Sequence, residues 1–113
     1  MIKIKVQLFG GRGVGSGKIY LDIGKQGKHF TWHNNYREGK SIVTIRPERI
    51  RDLVKKYTNK KHGQREYIDF EEPIGKWYNI NDGKYYDTTR GTLHWAKDGG
   101  YHIVPAPPVG WNK

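Results

Sequence analysis

Apolar positions along this chain keep two periods, one of strands and one of a helix. Ile2, Ile4, Val6 and Leu8 alternate with Lys3, Lys5 and Gln7, the pattern of a half-buried strand whose outer lysines discourage further pairing. A second short strand is expected at 18–23. Behind Pro47, pre-organised for a first helical position, Ile50, Leu53, Val54 and Tyr57 recur at three, four and seven residues and predict a helix over 47–57. Its outer face, Arg49, Arg51, Lys55 and Lys56, is basic, and solvation alone accounts for it, so these residues receive no role. From Arg65 the period returns to two: Glu66, Ile68 and Phe70 alternate with Arg65, Tyr67 and Asp69. A run over 73–80 then meets Asp82-Gly83, a hairpin signal. With these two residues as the loop, Thr88 lies opposite Trp77 and Asp87 opposite Tyr78. The proline-rich tail from Pro105 closes the domain, since proline cannot continue a central strand.

A last hairpin is predicted between Thr92–Lys97 and Tyr101–Val104, around Asp98-Gly99-Gly100. If Asp98-Gly99 is the loop, Trp95 sits opposite His102; if Gly99-Gly100 is, Lys97 does. Either two-residue loop puts Trp95, Lys97 and His102 on one face and His94 on the other, because strand side chains alternate.

With 113 residues the chain is read as one domain, in which 1–24 hold a strand and connector and 25–113 the main body. Four Trp, eight Tyr and three Phe provide large buried area in a small core. Cysteine is absent, which excludes disulfides and thiol nucleophiles. Histidine and carboxylate alone could hold a metal, and His29 and His33 form one close pair, but no HExxH follows, so no metal and no cofactor is expected. Lys+Arg 21 against Asp+Glu 11 gives a formal charge of +10, the footprint of a polyanion binder. No apolar run reaches the roughly 18 residues of a membrane-spanning helix, and no signal peptide is recognised. Five glycines over 10–17 resemble a phosphate loop but miss its pattern, with Arg12 where glycine is needed and Ile19 after Lys18. They read as a connector. Over 24–41, Lys25, Lys28, His29, His33, Arg37 and Lys40 interleave with Phe30, Trp32 and Tyr36, a mixture suited to phosphates and stacked bases.

Lys28-His29, Asn34-Asn35-Tyr36, Ser41, Glu66 to Phe70, Ile74-Gly75, Thr88 to Gly91 and Gly100 to Pro105 occur in an order and spacing that resembles the polymorphic toxin type fifty domain. The likeness spans roughly Lys25 to Pro108. It departs from the usual family pattern at Phe30 to His33, at Glu71-Glu72 and at Trp95-Ala96. The resemblance implies an α+β fold of the ribonuclease superfold shared by barnase, EndoU, colicin D and RelE. In it an N-terminal helical part packs on a roughly four-stranded antiparallel sheet. It also implies a metal-independent endoribonuclease toxin, found at the C-terminus of bacterial and phage-associated proteins. Such a toxin acts on RNA in a target cell's cytoplasm and is neutralised by an acidic immunity protein.

Metal-free RNA cleavage needs a base for the ribose 2′-hydroxyl, an acid for the leaving oxygen and cations for the phosphorane charge. Histidine can take either proton role near neutral pH. His29 and His102 are the candidate acid–base pair, with Lys28 and Lys97 as phosphate contacts. Tyr36, Thr89, Trp95 and Arg65 are candidate substrate contacts. Glu66 and Asp69 are candidates to orient a histidine, although either can equally pair with Arg65. His33, His62 and His94 receive no role. The alternative function is a non-enzymatic, basic RNA-binding or phage structural module. Oligomeric state is not legible.

Overall fold

The computed structural model describes residues 19–59 and 63–111. The expected strand at 2–8, the glycine-rich connector at 10–17 and His62 lie outside the described residues. The periodic segment Pro47–Tyr57 is helical, as expected. It is α2, following a single turn α1 (Ile23–Gln26) that runs into a 3-10 turn at Gly27–His29. Pro47 opens α2, Glu48 sits in its first turn and Lys55 and Lys56 in its last, which suits the helix dipole. Ile50, Leu53 and Val54 are buried, each contributing about 1.5–3 kcal/mol by leaving water. They join Leu21, Phe30, Val43, Phe70, Ile74, Leu93, Trp95, Tyr101 and Ile103 in one core.

The strands are β1 (Tyr20–Leu21), β2 (Ile42–Val43), β3 (Arg65–Asp69), β4 (Gly75–Asn79), β5 (Lys84–Thr88), β6 (Arg90–Trp95) and β7 (Gly100–Pro105). Among the described residues they form a four-stranded sheet, β1-β7-β6-β3, and a three-stranded sheet, β2-β4-β5. The architecture is α+β, with two corrections to the expected sheet. β1 runs parallel to β7, so the larger sheet is mixed. Parallel neighbours need a crossover, and here nearly the whole domain lies between the two strands. The second correction is the smaller sheet. It exists because β2 approaches Gly75 so closely that a Cβ there would stand 2.1 Å from the Ile42 carbonyl oxygen. That approach draws β4 and β5 away from the meander that alternation alone suggests.

Both hairpins turn through longer loops than expected. Between β4 and β5 the loop is Ile80 to Gly83, and Trp77 pairs with Tyr86 instead of Thr88. A slip of two residues keeps every side chain on its face. Between β6 and β7 the loop is Lys97-Asp98-Gly99, with Gly99 at φ 97° and Asp98 Oδ1 accepting from the Gly100 amide at 2.9 Å. This odd length sets His94 opposite His102 and Trp95 opposite Tyr101. A slip of one residue exchanges the faces. The expected grouping of Trp95, Lys97 and His102 is therefore wrong. Trp95 enters the core, and His94 joins His102 on the outward face.

Candidate functional site

One cross-strand row on the outward face of the larger sheet gathers the candidate groups. Arg65 on β3 pairs with His94 on β6, which pairs with His102 on β7. The His94 and His102 rings stack at 4.9 Å between centroids and 14° between planes. His29 comes from the 3-10 turn and continues the stack, 6.4 Å from His102 at 14°. Its delivery has a specific cause. Among the described residues β1 pairs with β7 only at Gly100 and Tyr101, and on that edge the next backbone groups of β7 have no strand neighbour. Gln26, fully buried, replaces that strand: its Nε2 donates to the Ile103 carbonyl at 2.9 Å, and the Ile103 amide donates to its Oε1 at 2.7 Å. Three residues on, His29 lies over His102, and buried Phe30 anchors the far side.

His29 is 9% exposed, and its Nδ1 lies 2.8 Å from the Ser41 carbonyl oxygen. A carbonyl can only accept, so Nδ1 carries the proton and Nε2 is left as a base. All three imidazoles titrate below the ordinary histidine value. Burial lowers His29 most, opposed by the Ser41 bond and reinforced by Lys40 and Lys28. Burial, then Arg65, then His29 lower His94. His102 falls from 6.5 to about 4, through burial first, then His94, His29 and Lys25, with Asp22 pulling the other way. The rings are therefore neutral at neutral pH in the free protein.

Depressed histidine values have a consequence for stability. In the window from 6.5 down to about 4 the unfolded chain takes up protons that folded His102 refuses. Stability is expected to be level above that window and to fall as pH drops through it. Asp69, Asp82 and Asp98, held low chiefly by the Glu71 amide and the Tyr86 and Tyr20 hydroxyls, act below their ordinary 3.8, and Glu72, held low chiefly by Arg49, adds to the fall below its ordinary 4.5. Urea unfolding at a series of pH values checks this, and His102→Asn should reduce the slope between pH 6.5 and 4, leaving the part that His29 and His94 contribute.

The other candidate residues are distributed differently from expectation. Arg65 lies in the row, and Lys28 is exposed beside His29. Lys97 stands in the hairpin loop, its stem 3.4 Å from where a Gly63 Cβ would lie, and not beside His102. The cation lining the small cleft with His94 and His102 is Lys25. Trp95 is 6% exposed, and its Nε1 donates to Glu66 Oε2 at 2.6 Å, so it offers no ring to a ligand. Glu66 is buried on the core face, where it also accepts from Thr58 Oγ1 at 2.7 Å and the Asn59 amide at 2.8 Å. It holds the end of α2 and orients none of the three stacked histidines. Asp69 and Thr89 bind each other at 2.8 Å near the β5–β6 junction, with the Glu71 amide on the same Asp69 oxygen. Tyr36 meets Tyr85 on β5, away from the row. Phe30 is core, while Trp32 stacks on it at 4.6 Å and is 64% exposed.

Sequence reasoning gave no site role to His94, Gln26 or Ser41, and placed Lys25 only within the basic, aromatic stretch 24–41. A signal for His94 was present: Lys-Asp-Gly is a normal three-residue hairpin loop with glycine at the left-handed position. Gln26 binds the distant Ile103 backbone and Ser41 acts through its own carbonyl on His29, neither of which a local pattern announces. Among the described residues no group of three His, Cys, Asp or Glu side chains is arranged to hold a metal ion.

These elements define an α+β domain with a row of stacked imidazoles flanked by cations on one sheet face. The profile of the bacterial toxin 50 family matches residues 21–105, and the chain belongs to that family. No curated protein matches it. Among the described residues no helix is long and apolar enough to cross a membrane.

Proposed function

We propose that this toxin domain is a metal-independent endoribonuclease in which the histidine row cleaves RNA through 2′-hydroxyl attack. The observation that carries the reading is the stack of His29 on His102, two groups distant in sequence, with the His29 tautomer set by the Ser41 carbonyl. His29 Nε2 takes the 2′-hydroxyl proton, and the oxygen attacks phosphorus. His102, protonated in the complex, gives its proton to the departing 5′-oxygen. The products are a 2′,3′-cyclic phosphate and a 5′-hydroxyl. Lys25, Lys28 and Arg65 hold the phosphorane charge, a type of contact worth several kcal/mol in a dry site. An entering phosphate supplies the negative charge that raises His102 from about 4 toward a useful value. Stacked rings do not point their lone pairs at one centre, which favours proton transfer over metal ligation.

The order of two helical parts followed by the antiparallel strands β3, β6 and β7 also supports membership of the barnase, colicin D and RelE superfold. An acidic inhibitor covering the same basic face, and action in a target cell's cytoplasm, accompany this reading. A second reading, RNA binding without turnover, is favoured by the low value of His102, since a group titrating near 4 is a poor acid at neutral pH. Incubating the domain with tRNA and mRNA in EDTA separates the two. Discrete fragments ending in cyclic phosphate are expected. Retardation of intact RNA, with no fragments, would establish the binding module instead.

A further inference from the structure

We propose that the cleft next to the histidine row is a subsite for one nucleobase of the substrate strand, with guanine preferred over adenine. This inference rests on the ribonuclease reading. The cleft measures about 260 Å³ and is lined by Tyr67, Arg90, Thr92, Ala106, Pro107 and Trp111 among others. Its position follows from strand register. Tyr67 pairs with Thr92, and Thr92 with Val104, which makes this the cross-strand row next to Arg65, His94 and His102. Adjacent same-face rows lie about 6.6 Å apart, comparable with one nucleotide step of an extended strand. A phosphodiester at the histidines thus brings a neighbouring base to the cleft.

The walls suit a flat ring. Trp111 is fixed from behind by Trp77, at 5.0 Å and 70°, and by Tyr86, at 4.7 Å and 55°, so little ordering remains when a base covers it. Tyr67 is 73% exposed, an aromatic face with no ring partner among the described residues. Stacking on such faces accepts any base. Discrimination comes from the polar edge. Neither the Arg90 guanidinium nor the Thr92 hydroxyl makes a hydrogen bond within the described residues, although Asp69 lies within Coulombic reach of Arg90. Arginine offers donors only. Guanine presents two adjacent acceptors, O6 and N7, where adenine presents N7 beside an amino donor. The fork therefore fits guanine and meets a like donor on adenine.

Guanosine monophosphate, adenosine monophosphate and inorganic phosphate are the probes, titrated into the intact domain and followed by amide chemical shifts. Guanosine monophosphate is expected to bind at least about fivefold more tightly than its adenosine counterpart and to shift Thr92 and Trp111, while phosphate shifts the histidine row alone. Tyr67→Ala should weaken both nucleotides about tenfold. Arg90→Lys should erase the preference while binding persists. Equal affinities that neither variant changes, or shifts confined to the histidines, would overturn the subsite. Both variants are at outward positions, and their amide spectra report folding directly. Nucleotide binding here without RNA cleavage would refute the ribonuclease reading but keep the subsite. Cleavage with no base preference would do the reverse.

Discussion

Replacing His102 with alanine is expected to reduce RNA cleavage by about 10²–10⁴, the usual worth of one positioned proton transfer. The same loss is expected for His29→Asn. Asparagine can still donate to the Ser41 carbonyl in place of Nδ1, yet has no base where Nε2 stood. This control matters because His29 is 9% exposed. Alanine there would also remove buried contacts, and lost rate would mix with lost stability. The double variant should be barely slower than either single one, since groups acting as one unit fail together. RNA affinity should change little in all three, because the flanking cations remain. Single-turnover cleavage with saturating enzyme checks the rates, and filter binding checks affinity. Two independent, additive losses would show that the rings do not share one reaction. Unchanged cleavage in His102→Ala would remove the acid assignment and turn attention to His94, stacked against it at 4.9 Å.

Glu66→Ala is expected to lower stability by about 3–5 kcal/mol, a melting shift of about 15–30 °C for a domain of this size. The carboxylate lies buried between three elements. It accepts from Thr58 and Asn59 at the end of α2 and from Trp95 of β6, while standing on β3 itself. Truncation removes the shared acceptor from these three donors at once, and a buried donor left without its partner costs its full desolvation. Glu66→Gln, which keeps one oxygen and adds a donor, should fall between. Thermal unfolding measures both. If Glu66 oriented a catalytic histidine instead, the glutamine variant would move the pH profile of cleavage. Here its residual activity should follow the wild-type profile. Asp69→Asn should also leave that profile unmoved, because Asp69 holds Thr89 and the Glu71 amide.

Local pattern alone determined a good part of this domain. The spacing of Ile50, Leu53 and Val54 behind Pro47 defined α2, because burial of one helical stripe depends only on neighbours a turn away. Alternation from Arg65 to Asp69 and along both arms of the last hairpin located β3, β6 and β7 for the same reason. The excess of basic residues and the lack of cysteine narrowed the chemistry before any contact was known. His29 and His102 could be singled out by residue type and family likeness.

Tertiary structure decided the rest. One extra residue in the loop after Ala96 determined whether Trp95 or His94 would face outward with His102, and strand parity magnifies such a change across the whole hairpin. Turn sequences do not fix loop length, because Asp98-Gly99-Gly100 supports two- and three-residue closures. The exchange of Trp95 for His94 beside His102 follows from that shift, while Lys25 reaches the cleft from α1 and Glu66 faces the core opposite Leu93. The smaller sheet depended on β2 reaching Gly75 from far away in sequence. The stack of His29 on His102 depended on Gln26 standing in for a missing strand beside Ile103, a pairing of one side chain with a distant backbone. Periodicity records which face of an element is buried; it carries no record of which element buries it.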